Sequence, residues 1–262
     1  MTTRYAAMFE RCRTGGEGAF GAFLMLGDPD FETSAGLLDA LVEGGADIVE
    51  LGIPFSDPVA DGPVIQAAAL RALGAGVRTR HCLDLVAAVR ARHADVPIGI
   101  LTYANIVAAR GIATFCGELA AAGVDSLLVA DVPVIEAAPY AAAARAAGID
   151  LVMIAAPNTP AATLDRIAAL SSGYTYCVAR SGVTGADAAL ALDHGALFAA
   201  LGDAGAPPPV LGFGISSPDQ VRQALASGAA GVISGSAIVA KVGEGADAVR
   251  AFVMAMKAAT KA

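Results

Sequence analysis

Four times along this chain a helix-compatible stretch ends in glycine and passes at once into a short apolar run. Gly45-Ala46-Asp47-Ile48-Val49, Gly123-Val124-Asp125-Ser126-Leu127-Leu128 and Gly148-Ile149-Asp150-Leu151-Val152-Met153 share one order: glycine, a small or branched residue, aspartate, then strand. Gly228-Ala229-Ala230-Gly231-Val232-Ile233 is a looser fourth copy. Glycine closes a helix in the left-handed conformation without the Cβ penalty that other residues meet there. Short, continuously apolar strands that alternate with helices imply a parallel sheet buried on both faces. Further apolar runs at 19–26, 98–102, 174–179 and 210–213 join those beginning near 48, 126, 151 and 231. About eight strands in 262 residues predict an α/β chain, a single (β/α)8 TIM barrel spanning 1–262. An extra helix over 1–16, with Ala7, Met8 and Cys12 on one side, precedes it. An open doubly wound sheet normally carries a Gly-rich fingerprint after its first strand, and Gly27-Asp28-Pro29 is not one.

Charge and composition exclude several classes. There are 17 Lys and Arg against 25 Asp and Glu, a formal charge of −8, and no basic block, which argues against a nucleic-acid or anionic-membrane partner. No apolar run approaches the ~18 residues that span a bilayer, and the first residues lack the apolar core of a signal peptide. A cytoplasmic protein is expected. Cys12, Cys82, Cys116 and Cys177 are scattered, as are His81, His93 and His194; buried reduced thiols and no metal site are expected.

Chemistry is expected at the C-terminal ends of the strands, where barrel active sites lie. The strand at 48–53 carries Glu50 in its middle, and the loop after it, 54–64, carries Asp57 and Asp61 among Pro54, Pro58, Gly62 and Pro63. A carboxyl within an apolar strand is costly to ionise unless paired, which makes Glu50 and Asp61 acid/base candidates. An ion pair with a structural role is the competing reading of Glu50. A second long loop, 180–192, holds Arg180-Ser181-Gly182-Val183-Thr184-Gly185, in which Thr184 is a plausible partner for Asp61. Gly212-Phe213-Gly214-Ile215-Ser216 and Ser234-Gly235-Ser236 follow the last two strands, where barrels bind phosphate through backbone N–H groups. Leu101, Tyr103, Leu128, Tyr176 and Phe213 lie on strands that can line the same mouth as an apolar slot for a flat ring. Proton transfer to and from carbon or nitrogen in a phosphorylated substrate fits these groups. Cleavage and isomerisation both remain open.

A resemblance narrows the choice. Leu51-Gly52-Ile53-Pro54-Phe55-Ser56-Asp57-Pro58, Ala60-Asp61-Gly62-Pro63, Leu128-Val129-Ala130-Asp131-Val132-Pro133, the Arg180 and Gly212 segments and Ser234-Gly235-Ser236-Ala237-Ile238-Val239 resemble the alpha chain of tryptophan synthase from about residue 19 to 240. The resemblance implies retro-aldol cleavage of indole-3-glycerol phosphate to indole and glyceraldehyde 3-phosphate. It gives Glu50 as general acid/base, Asp61 as stabiliser of charge at the indole nitrogen, and Thr184 as the residue that meets Asp61. Gly185, Gly214, Gly235 and Ser236 match the phosphate site, and Phe23, Ile65, Leu101, Tyr103, Leu128, Tyr176 and Phe213 the ring pocket. It also implies a beta-chain partner, two alpha with two beta, which carries pyridoxal phosphate; no cofactor is expected in this chain. Residues 54–57 and Asp131 are expected near that contact. Met25 and Ala156 depart from the family pattern, which commonly has a small polar residue and a proline there. A stand-alone indole-releasing lyase and a mainly regulatory subunit are the alternatives; a related phosphate-binding barrel is disfavoured because residues 19–26 offer neither Lys nor Cys.

Overall fold

The computed structural model describes residues 3–178 and 194–261. Among the described residues, nine parallel strand segments form one sheet: β1 Ala19–Met25, β2 Ile48–Gly52, β3 Ile98–Thr102, β4 Ser126–Val129, β5 Asp150–Leu151, β6 Met153–Ala155, β7 Thr175–Val178, β8 Pro209–Gly212 and β9 Gly231–Ser234. Their order is β5-β4-β3-β2-β1-β9-β8-β7-β6. Only Val152 separates β5 from β6, so the two ends of that order are consecutive residues of one stave. The barrel therefore has eight staves, the fifth divided where it changes partner: β5 pairs with β4 and β6 with β7. Pairing across this stave is short because each half has only one neighbour, a division that an apolar run in sequence does not announce.

Every residue of β1, β2, β4, β7 and β9 is buried, as continuous apolar strands between a helical layer and a filled interior require. Glycines carry the helix-to-strand passages, with positive φ at Gly45, Gly123, Gly148 and Gly228. The helix Phe31–Glu43 is capped by Asp30, whose carboxylate accepts from the Thr33 N–H of the first turn at 2.9 Å.

The first helix, Arg4–Thr14, buries Tyr5, Met8 and Cys12, while Ala7 faces outward. The stripe follows a 3.6-residue period through the larger side chains, since burying Tyr5 removes far more apolar area from water than burying an alanine. All four cysteines are free and buried. Among the described residues, the one grouping with metal-ligand proximity is Cys12, Glu17 and Asp47. It already holds a cation: Lys257 Nζ lies 2.9 Å from Glu17 and 2.7 Å from Asp47. No helix among the described residues is long and apolar enough to cross a membrane.

Candidate active site

Parallel register puts Phe23, Glu50, Gly99 and Ser126 side by side across β1 to β4. Phe23 and Glu50 both line one cavity, so this row faces the barrel interior. Glu50 is only 2 % exposed. Its Oε1 accepts a hydrogen bond from Tyr174 Oη at 3.1 Å. Burial pushes the carboxyl up to about 8, and the Tyr174 bond opposes that rise only in part. No Arg or Lys pairs with it among the described residues, so the ion-pair reading of Glu50 finds no support there. Around this group the packing is tight. Tyr5 Oη and Ser126 Oγ are 2.8 Å apart, and the Tyr5 and Tyr174 rings are 5.3 Å apart. A Cβ on Gly99 would stand 2.8 Å from Ser126 Oγ, so a side chain there would displace the same network.

Asp61 sits on the loop between β2 and the helix Pro63–Gly74 and is also buried. Burial raises its carboxyl to about 6, and a hydrogen bond from Tyr103 works against that rise. Tyr103 Oη accepts in turn from the Ala60 N–H at 3.3 Å, and its ring stacks on Phe55 at 5.3 Å. Gln66 Nε2 donates to the Asp61 carbonyl at 2.7 Å. Asp61 is thus held from both main chain and side chain before any ligand arrives.

Both carboxyls line one cavity at the C-terminal end of the strands. Of the expected ring pocket, Phe23, Ile65, Leu101, Tyr176 and Phe213 line it. Tyr103 and Leu128 do not: Tyr103 stands behind Asp61, and Leu128 is buried beside Leu101 in the β3–β4 register. Gly214, Gly235 and Ser236 form the opposite rim. Their backbone N–H groups have no acceptor among the described residues. The rim is cross-braced, with Ser234 Oγ donating to the Ile215 carbonyl at 2.7 Å and Gln220 Oε1 accepting from the Ser216 N–H at 2.8 Å. No Lys or Arg lines the cavity among the described residues; what these offer an anion is backbone N–H dipoles. Thr184, Gly185 and the loop 180–192 lie outside the described residues.

Sequence reasoning overlooked Ile233, which lines the cavity from β9, and Tyr174. Tyr174 and Tyr176 are two apart, the strand period, and that spacing was the available signal for two side chains on one face.

Phe213 carries a cost. Its φ is 62°, in the left-handed region that residues with a Cβ avoid, and its ring meets Tyr176 edge-on at 5.8 Å. Holding a non-glycine there costs on the order of 1–3 kcal/mol. Phe213→Gly is therefore expected to shift urea-unfolding stability by less than about 1 kcal/mol, since released strain offsets lost packing. The same variant should raise KM about tenfold by removing one wall of the slot. A large stability loss at unchanged KM would refute this account.

Comparison with known proteins agrees with the geometry. The family model described as tryptophan synthase alpha chain matches residues 9–262. The chain is 51 % identical over 264 residues to the tryptophan synthase alpha chain of Shewanella amazonensis, covering 98 % of this chain and 99 % of the relative. It is 50 % identical over 267 residues to that of Klebsiella pneumoniae, covering 98 % of each. Among solved structures, Mycobacterium tuberculosis tryptophan synthase superposes with a TM-score of 0.91 at 34 % identity, covering 100 % of both chains. The alpha subunit from Legionella pneumophila superposes with 0.89 at 29 % identity, covering 99 % of both.

Proposed function

Because this chain belongs to the tryptophan synthase alpha chain family and is a lyase that cleaves indole-3-glycerol phosphate, we propose that Glu50 and Asp61 divide the acid–base work of that cleavage. The observation that carries this reading is the separation of the two carboxyls in one cavity. Glu50, raised to about 8, holds its proton at neutral pH, whereas Asp61, at about 6, is mostly ionised. A pair of acids pushed apart by their surroundings supplies a donor and a stabilising anion at the same pH. Glu50 gives its proton to indole C3, leaving the ring as an iminium whose N–H faces Asp61. The Glu50 carboxylate then takes the proton of the hydroxyl on the adjoining carbon. The C–C bond breaks, its electron pair returns to the ring, and indole and glyceraldehyde 3-phosphate leave. The carboxyl ends protonated, as it began.

Phe23, Ile65, Leu101, Tyr176 and Phe213 enclose the indole, while Gly214, Gly235 and Ser236 receive the phosphate, with Thr184 and Gly185 contributing from the segment that follows β7 in sequence. Residues 1–262 act as a single domain in the cytoplasm. Membership of the family implies a beta-chain partner, which takes up the indole and carries the pyridoxal phosphate; two alpha chains assemble with two beta. Exposed Val59 and Ile135, on the loops after β2 and β4, support a docking surface beside the mouth. The test is indole release from indole-3-glycerol phosphate by the purified chain, alone and with a tryptophan synthase beta chain. Slow release that rises strongly with the partner is expected. Rapid release indifferent to the partner would make the chain a stand-alone lyase, and no release in either case would end the assignment.

A further inference from the structure

Gly52 ends β2 between Met25 of β1 and Leu101 of β3 in the parallel register. The space its side chain would take is filled from β1. A Cβ on Gly52 would lie 2.8 Å from Phe23 Cζ and 3.1 Å from both Sδ and Cε of Met25. Phe23 and Leu101 line the cavity; Met25 does not, and is 3 % exposed. Met25 therefore stands behind the wall, sharing with the Phe23 ring the space above Gly52, a residue with no side chain to hold that ring in place. An unbranched thioether has three rotatable bonds and fills irregular gaps that a branched side chain cannot follow.

We propose that Met25 is the residue that sets how large an aromatic ring the slot accepts, acting as a yielding backstop to Phe23. This rests on the reading of the apolar slot as the indole site. Shortening Met25 lets Phe23 move back and lengthens the slot, while a branched side chain of similar volume stiffens it. In an apolar pocket a single methylene changes discrimination by about tenfold or more.

The experiment measures kcat/KM for indole-3-glycerol phosphate and for analogues bearing one methyl at each benzo-ring position, in the wild type, Met25→Ala and Met25→Leu. The readout is the ratio of methylated to parent substrate within each protein, from which the folded fraction cancels. Met25→Ala is expected to raise that ratio about tenfold at one ring position or more, mainly through KM, and Met25→Leu to lower it. Should Met25→Ala not fold, the fall in Met25→Leu carries the test. Ratios within twofold of wild type at every position in the folded variants overturn the proposal. If the wild type instead cleaves the parent but Phe23→Ala leaves every ratio unchanged, the slot assignment itself has failed, and the role of Met25 with it.

Discussion

Glu50→Gln is expected to lower kcat for indole release by about 10²–10⁴-fold, the usual contribution of a positioned acid or base. The amide keeps the shape and can still accept from Tyr174, but it neither donates a proton to carbon nor recovers one from the hydroxyl. The same change should stabilise the fold in alkaline solution. Burial raises the Glu50 carboxyl from 4.5 to about 8, so between those values the native state binds a proton that the unfolded chain releases. Stability attached to this group is thus full below pH 4.5 and falls as pH rises toward 8. Glutamine has no proton to lose. The variant should gain on the wild type across that window, by a few kcal/mol at its upper end, since each pH unit is worth ~1.4 kcal/mol. Urea unfolding at pH 5 and pH 8 with steady-state kinetics measures both effects. Equal stability at the two pH values relative to wild type, or retained cleavage, would refute the assignment of Glu50 as a buried acid.

Gly212→Ala should be nearly as damaging by a different route. A Cβ at the end of β8, on Gly212, would overlap Oη and Cζ of Tyr176. Such contact is impossible, so the Tyr176 ring must leave a site where Tyr174 and Phe213 confine it at 6.5 and 5.8 Å. Overpacking of this kind costs about 1–3 kcal/mol of stability. Because Tyr176 lines the cavity, kcat/KM should fall about 100-fold, as for a misplaced group at the reacting site. Trimming the obstacle tests the cause: Tyr176→Leu in the Gly212→Ala background is expected to recover part of the stability. A Gly212→Ala protein with normal kinetics and midpoint would show that the ring has room that the geometry denies it.

Much of the site was legible because the barrel converts sequence position into spatial position. A residue near the end of a strand belongs to one face, and Glu50, Asp61, Phe213 and Gly235 could be assigned to that face from strand order alone. Tyr103 and Leu128 show the limit. Both follow or occupy strands that reach the mouth, yet one stands behind Asp61 and the other behind the wall. Strand order says which end of the barrel a side chain occupies; the depth it reaches depends on what its neighbours already fill.

The sequence by itself determined the alternation of glycine-capped helices and apolar strands, hence the barrel, and set one carboxyl inside a strand that no cation in its own segment could pair. These are local patterns, fixed by backbone preference and hydrophobic period. Only the tertiary structure decided the state of that carboxyl. Its hydrogen-bond donor, Tyr174, is 124 positions away, and the row of β1, β2, β3 and β4 residues that excludes water exists only once the strands are in register. Desolvation belongs to the closed barrel rather than to any segment of chain, which is why the proton on Glu50 could not be read from the residues beside it.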